Sequence, residues 1–264
     1  MNAPNDNGEV RTERNGHVFT ITVDRSAKMN GFTPEMFDAL SDALTQLDED
    51  PDLWVGVLAF AGKHTTAGLD LPRFAAAFAS DGRNAPVDAR VDAFALKRRC
   101  RKPVVMAVQG VTFTIGIEML LAADIVVAAD DCRFCQMEPK RGLAVFGGAH
   151  VRYVERAGWG NAMYHLFTCQ EFSAERALQL GFVQEVHPFG KHMERARELA
   201  AIICECAPLG LRATKKAALT FIEAGEQAAV ACIPQIREQV FATEDFKEGI
   251  RSFVERRQAK FVGR

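Results

Sequence analysis

The chain has 264 residues, 48% of them hydrophobic and 25% charged, with a net charge of −2 at neutral pH. That is ordinary globular composition, long enough to bury a core without disulfide or metal staples. The charge balance gives no global pull toward nucleic acid or an anionic membrane. Residues 1–15 are polar and lack an apolar h-region, which argues against a secretory signal. The longest apolar stretch, 103–129, is interrupted by Gln109, Gly110, Glu118 and Asp124, so it reads as buried αβ core rather than a membrane span.

In chain order, residues 8–23 alternate like two strands around Asn15-Gly16, a pair that favours positive φ and so predicts a hairpin. Thr33 as N-cap and Pro34 at the first helical position open a helix. Met36, Phe37, Leu40, Ala43, Leu44 and Leu47 follow at helical spacing, and Pro51 marks its end. Residues 53–60 form a buried strand, followed by the loop GKHTTAGLDL and a less regular segment from Pro72 to about Val91, with FAAAFA as a helical turn or two. A helix carrying KRRCRK is expected up to Pro103, then a strand at 104–108, a helix from about Gly116 to Ala123 and a strand at 125–128. This alternation argues for stacked βα units with parallel strands. From Gly147 the pattern is mostly helical: Ser173–Leu180 as a capped helix ended by Gly181, a strand at 182–187, then helices over 190–206, 208–224 and 226–264.

The seven cysteines are odd in number and lack a secreted-framework spacing, so reduced thiols in a cytoplasmic protein are the expectation. Cys132 and Cys135 form a C-x-x-C, but Cys204 and Cys206 have the wrong spacing for a second zinc-binding pair, and CRFC reads as extended chain rather than a redox helix start. The six histidines show no H-x-x-x-H or H-E-x-x-H spacing, so no metal ligand set is expected; nor is there a G-x-S-x-G elbow or a P-loop.

Glu118 is a lone acid in the apolar helix start IGIEMLLAA. Desolvation raises a carboxyl pKa and a helix N-terminus lowers it, so the position reads either as a tuned functional acid or as a core acid satisfied by backbone or an arginine. Glu138, in FCQMEPKRG, is a second acid in a loop between apolar segments. Gly68 follows a buried strand and can turn the next amide, that of Leu69, into a cleft; the amides of residues 114–116 precede a helix, where unpaired N–H groups favour an anion. Two converging backbone donors are what an enolate or oxyanion site needs. The KRRCRK run reads as a solvated helix face, with a phosphate or RNA contact as the alternatives.

Together these segments resemble the crotonase (enoyl-CoA hydratase/isomerase) superfamily, collinearly from about residue 9 to 264. VDRSAKMNGFTPEMFDAL resembles its opening strand, CoA-contacting turn and helix, with Arg25 and Asn30 at marked positions. VLAFAGKHTTAGLDL and KPVVMAVQGVTFTIGIEMLLAADIVVAAD resemble its two oxyanion-hole segments, FCQMEPKRGLAVFGG its second acid loop, and FSAERALQLGFVQEV with EDFKEGIRSFVERRQAKF its later elements. The resemblance implies an α/β fold of stacked ββα units over residues 1–200, with the active site, and a C-terminal helical trimerisation region over 201–264. It implies a homotrimer or homohexamer acting on an acyl-CoA thioester, with no cofactor beyond the coenzyme A of the substrate. The carbonyl is expected between the amides of Leu69 and Ile115, with Arg25, Lys28, Ala67, Gly68, Asp70 and Gly116 as substrate-binding residues, Lys28 or Arg25 toward the CoA phosphates. Glu118 and Glu138 match the two glutamates of the family's hydratases: Glu118 activating water for attack on Cβ, Glu138 managing the proton at Cα. A double-bond isomerase using Glu138, another acyl-CoA lyase or hydrolase, and a non-catalytic CoA-binding scaffold are the alternatives. Two departures stand out. The hydratases' Gly-Gly-Gly run is Thr114-Ile115-Gly116 here, which puts a β-branched residue at the donor position, and the Pro before the second acid is Met137.

Overall fold

A computed structural model describes residues 7–74 and 89–264. Part of the expected irregular segment, residues 75–88 with most of FAAAFA, lies outside the described residues. Strands β1 (Glu9–Asn15) and β2 (Val18–Asp24) form the expected hairpin, paired Asn15 to Val18. Its turn is Gly16-His17, with Gly16 at φ 57°, one residue later than the Asn15-Gly16 pair. Phe19, Ile21 and Val23 of β2 point into the core and alternate with half-buried residues, as a strand of period 2 requires.

Helix α1 (Pro34–Glu49) starts where the capping chemistry places it: Thr33 Oγ1 accepts the Met36 N–H at 3.3 Å. Strands β3 (Val55–Phe60), β4 (Val104–Val108) and β6 (Ile125–Ala129) follow, with β5 (Val111–Phe113), α2 (Ile115–Ala122) and β7 (Arg133–Cys135) between and after them. Then come α3 (Ala149–Thr168), β8 (Phe172–Ser173), α4 (Ala174–Gln179) and β9 (Glu185–His187). The main sheet runs β1-β2-β3-β4-β6-β9, parallel except for the β1–β2 hairpin; a second sheet runs β5-β7-β8. Strands β3 and β4 are buried at every position, as expected of parallel strands covered on both faces. Helix α5 (Lys191–Cys204) covers one face, its Ala196 and Ala200 against Val57, Val105 and Val127. The other face packs on α1 through Met36, Leu40, Leu44 and Leu47.

Three expectations need correction. Residues 97–102, KRRCRK, form bends rather than a helix. The carboxylate of Asp92 takes the backbone N–H groups of Phe94, Leu96 and Lys97, a local competitor that disfavours helix, and Arg98 and Arg101 both reach the buried Asp48. The strand expected at 182–187 is shorter, Glu185–His187. The kink at Gly225, φ 83°, falls at the expected break between 208–224 and 226–264, but the second stretch is divided, giving α6 (Pro208–Ala231), α7 (Ile233–Phe241) and α8 (Glu244–Glu255). Arg256 at φ 53° ends α8, and the tail folds back so that the N–H groups of Val262 and Gly263 meet the Asp245 carboxylate. Among the described residues no helix is long and apolar enough to cross a membrane, and no group of three or more His, Cys, Asp or Glu is placed to hold a metal ion.

Candidate active site

The first wall of the site is built around Asn30. Its backbone lies in the left-handed region at φ 50°, which asparagine tolerates better than most residues. Its amide donates to the carbonyls of Ala61 at 2.9 Å and His64 at 2.7 Å, and its Oδ1 accepts the Arg25 N–H at 2.7 Å. Thr66 Oγ1 then donates to Asn30 O and accepts from Gly68 N, which turns the chain at Gly68, φ 114°. Phe32 N donates to Gly68 O and Asp70 N donates to Phe32 O, both at 2.9 Å. Bonding of residues 68 and 70 to one neighbour leaves residue 69 facing the other way, and the Leu69 N–H finds no acceptor among the described residues.

The second wall is joined to the first by Thr66, whose N–H and C=O bond Val111 and Phe113. The chain then turns at Thr114 into α2. Ile115 is the first residue of that helix, so its N–H is one of the donors without an intrahelical partner, and no other acceptor meets it among the described residues. Ala67, Gly68, Leu69, Thr114, Ile115, Met137 and Glu138 line one cleft of about 250 Å³. A larger cavity of about 620 Å³, between Arg99–Arg101 and α6, shares no lining residue with it.

Of the two candidate acids, Glu138 lines this cleft and Glu118 does not. Glu118, one turn into α2 and 3% exposed, accepts the Gly147 N–H at 2.7 Å and the Ala149 N–H at 3.3 Å on Oε1, at the start of α3. Burial raises its pKa, and the Ala149 and Gly147 N–H groups and the charge of Arg152 only partly offset that. Glu138 opens a short 3-10 turn, Glu138–Arg141. Burial lifts its pKa to about 7; backbone N–H groups and the Gln136 amide pull it down, while the charge of Glu118 pushes it further up. Gln136 Nε2 donates to Glu138 Oε1 at 2.9 Å, whereas Glu138 Oε2, Gln136 Oε1, Thr114 Oγ1 and Tyr153 OH are buried without a hydrogen-bond partner among the described residues.

The comparisons with known proteins concern the whole chain. The enoyl-CoA hydratase/isomerase family model matches residues 13–264. The chain belongs to the enoyl-CoA hydratase/isomerase family. It is 33% identical to enoyl-CoA hydratase EchA19 of Mycobacterium tuberculosis over 97% of both chains, and 29% identical to the 2,3-dehydroadipyl-CoA hydratase of Escherichia coli over 97% of this chain and 99% of that one. Among solved structures, an enoyl-CoA hydratase from M. tuberculosis superposes with a TM-score of 0.87 at 33% identity, covering 97% of this chain and 99% of that chain. A probable enoyl-CoA hydratase/isomerase from Mycobacterium abscessus reaches 0.92 at 38% identity, covering 97% and 98%.

For this enoyl-CoA hydratase/isomerase family member, the fold brings Leu69, Ile115, Ala67, Gly68 and Glu138 to one cleft, while Glu118 is buried one turn beyond Ile115 on α2 and is not among its lining residues. Other expected site residues act at a distance from it. The Arg25 side chain is 4% exposed, and its guanidinium donates to Gly31 O at 2.8 Å and to Asp70 at 2.9 Å. Arg25 and Asp70 therefore brace the first wall from behind, and of the two phosphate candidates Lys28 is the exposed one. Gly116 lies off the cleft, where a Cβ would press on Thr66 Cγ2 at 2.8 Å, so it is needed for close packing of the two walls. Sequence reasoning missed the Gly147 and Ala149 donors, although a Gly-Gly pair ahead of a helical run marks a helix N-terminus open to an anion. Gln136 and Tyr153 carried no local signal.

Proposed function

We propose that the chain is an enoyl-CoA hydratase, adding water across the double bond of a 2-enoyl-CoA thioester. The observation that carries this reading is the meeting, at one cleft, of the free N–H groups of Leu69 and Ile115 with the carboxyl of Glu138, while Glu118, one turn beyond Ile115 on α2, is near enough for its charge to raise the Glu138 pKa. The thioester oxygen lies between the two amides, which stabilise the negative charge that develops on it. Glu118, fixed by two N–H groups, accepts a proton from water as the water oxygen bonds to Cβ. The electron pair moves onto the thioester oxygen as the enolate forms and returns as Cα takes a proton from Glu138. One water is added and the dyad is left with one proton, now on Glu118. Two neighbouring carboxyls with raised pKa values favour such a singly protonated state.

Coenzyme A is part of the substrate, and no separate cofactor enters this scheme. Residues 1–200 supply the site and residues 201–264 the helical region for a trimer or a pair of trimers, a role supported by Ile250, Phe253 and Val254 standing more than half exposed on α8. A cytoplasmic setting is part of the same reading, supported by seven free cysteines.

One observation favours a second reading. Glu138 lines the cleft and Glu118 does not, which suits a double-bond isomerase in which Glu138 alone carries a proton between Cα and Cγ. Incubation with a 2-enoyl-CoA in heavy-oxygen water separates the two. A hydratase yields a 3-hydroxyacyl-CoA carrying the label; an isomerase shifts the double bond with no gain of mass. Binding of the thioester with neither outcome makes the chain a CoA-binding scaffold.

A further inference from the structure

Thr114 stands where the two walls of the cleft meet. Its backbone is at φ 49° and ψ −113°, a combination natural to glycine and strained for a β-branched residue. The surroundings hold it there: its N–H donates to Cys135 O at 2.9 Å, and its C=O accepts from Ile117 N at 2.9 Å and Glu118 N at 3.1 Å. Strain of this kind persists where the residue does something a glycine would not.

The side chain indicates what that is. Thr114 Oγ1 is buried and has no hydrogen-bond partner among the described residues. A Cβ built on Gly68 would come within 2.6 Å of it, so the hydroxyl is seated against the residue whose following amide is that of Leu69. The carbonyl carbon of Thr114 itself carries the Ile115 nitrogen. The hydroxyl thus sits beside Gly68, on the residue that precedes the Ile115 amide, and Thr114 is one of the residues that line the cleft. A buried O–H in such a place is costly unless an acceptor arrives, and a bound thioester brings one.

We infer that Thr114 is a catalytic residue, its hydroxyl donating a third hydrogen bond to the thioester oxygen as that oxygen gains charge. This rests on the reading of Leu69 and Ile115 as the two amide donors. It gives the departure from a glycine run a function, because a side chain at this position reaches an oxygen that glycine cannot.

The test uses the full-length protein and three variants, Thr114→Val, Thr114→Ser and Thr114→Gly. Turnover of a 2-enoyl-CoA is measured alongside the infrared carbonyl band of a bound saturated acyl-CoA, isotopically labelled at its thioester carbonyl. Thr114→Val keeps the branched shape and lacks the hydroxyl; it is expected to lower kcat by about tenfold or more, with KM within about twofold. The bound carbonyl band should then move back toward its position in solution. Thr114→Ser should keep both the rate and the band. Thr114→Gly, freed of backbone strain, should be thermally more stable than wild type yet slow, with the band relaxed. A normal rate and band in Thr114→Val or Thr114→Gly, against a shifted wild-type band, overturns the role of Thr114 alone. An unshifted band in the wild type overturns the two-amide reading, and this inference with it.

Discussion

The carboxylate of Glu118 rests on the backbone of Gly147, Oε1 to N at 2.7 Å, so the start of α3 holds the acid of α2. A helix N-terminus presents unpaired N–H groups and partial positive charge, which fixes the carboxylate and limits how far burial can raise its pKa. Gly147 leaves the room: a Cβ there would run into the Glu118 carboxyl group. Gly147→Ala is therefore expected to lower turnover at least tenfold and to destabilise the fold by about 1–3 kcal/mol. Steady-state kinetics and urea denaturation of the same preparation check both.

A second prediction concerns pH. Glu138 has its pKa raised by burial from an ordinary 4.5 to about 7. In the proposed role of proton donor to Cα it must be protonated, so kcat/KM for hydration should fall as pH rises through about 7, and Glu138→Gln should lose that limb. The folded state binds the proton more tightly than the unfolded chain does. The associated stability is fully present below 4.5 and is lost as pH rises through about 7. Thermal unfolding between pH 5 and 8 should show a decline in the wild type that is flatter in Glu138→Gln.

Asn30 gives a third. It is fully buried, and its side chain makes three hydrogen bonds that join the Arg25 turn to the loop before Gly68. Asn30→Ala would strand those partners and place alanine at a left-handed φ. A loss of about 2–4 kcal/mol, with a fall in kcat larger than any rise in KM, is the expected result, measured by chemical unfolding and initial rates.

The basic run 97–102 gives a fourth. Arg98 and Arg101 meet the carboxylate of Asp48, which is buried, at 2.8 and 2.9 Å. Burial alone would raise the pKa of Asp48, but the Arg101 N–H and the Arg98 and Arg101 side chains outweigh it and leave the value lowered. The stability this contributes is present above the ordinary 3.8 and lost as pH falls through the lowered value. Asp48→Ala should destabilise the protein by about 1–3 kcal/mol, because the Arg101 N–H loses its acceptor while Arg98 keeps Glu49. Arg98→Ala should leave KM for an acyl-CoA unchanged, because this residue serves the fold; a several-fold rise in KM at constant stability would make it a phosphate contact instead.

These cases mark what a sequence discloses. Thr33-Pro34 and the spacing of Leu40, Leu44 and Leu47 specify α1 locally, so its start was readable to the residue. The same holds for β3 and β4, whose continuous apolar runs have one sensible environment. The KRRCRK segment misled because its conformation is decided by Asp92 and by Asp48, the latter about fifty residues away along the chain. At the site, the acids and the Gly68 turn were legible through motif order. The contact of Glu118 with Gly147 spans 29 residues, and the strain at Thr114 exists only once Cys135 accepts its N–H. Neither leaves a periodic or local trace.

The most direct test of two-acid hydration is the loss of enoyl-thioester absorbance with wild type, Glu118→Gln and Glu138→Gln, each checked for folding and acyl-CoA binding. Wild-type turnover that falls by about 10²–10⁴ in each variant, with binding retained, is the predicted result. A variant at either position that still hydrates at the wild-type rate would contradict it.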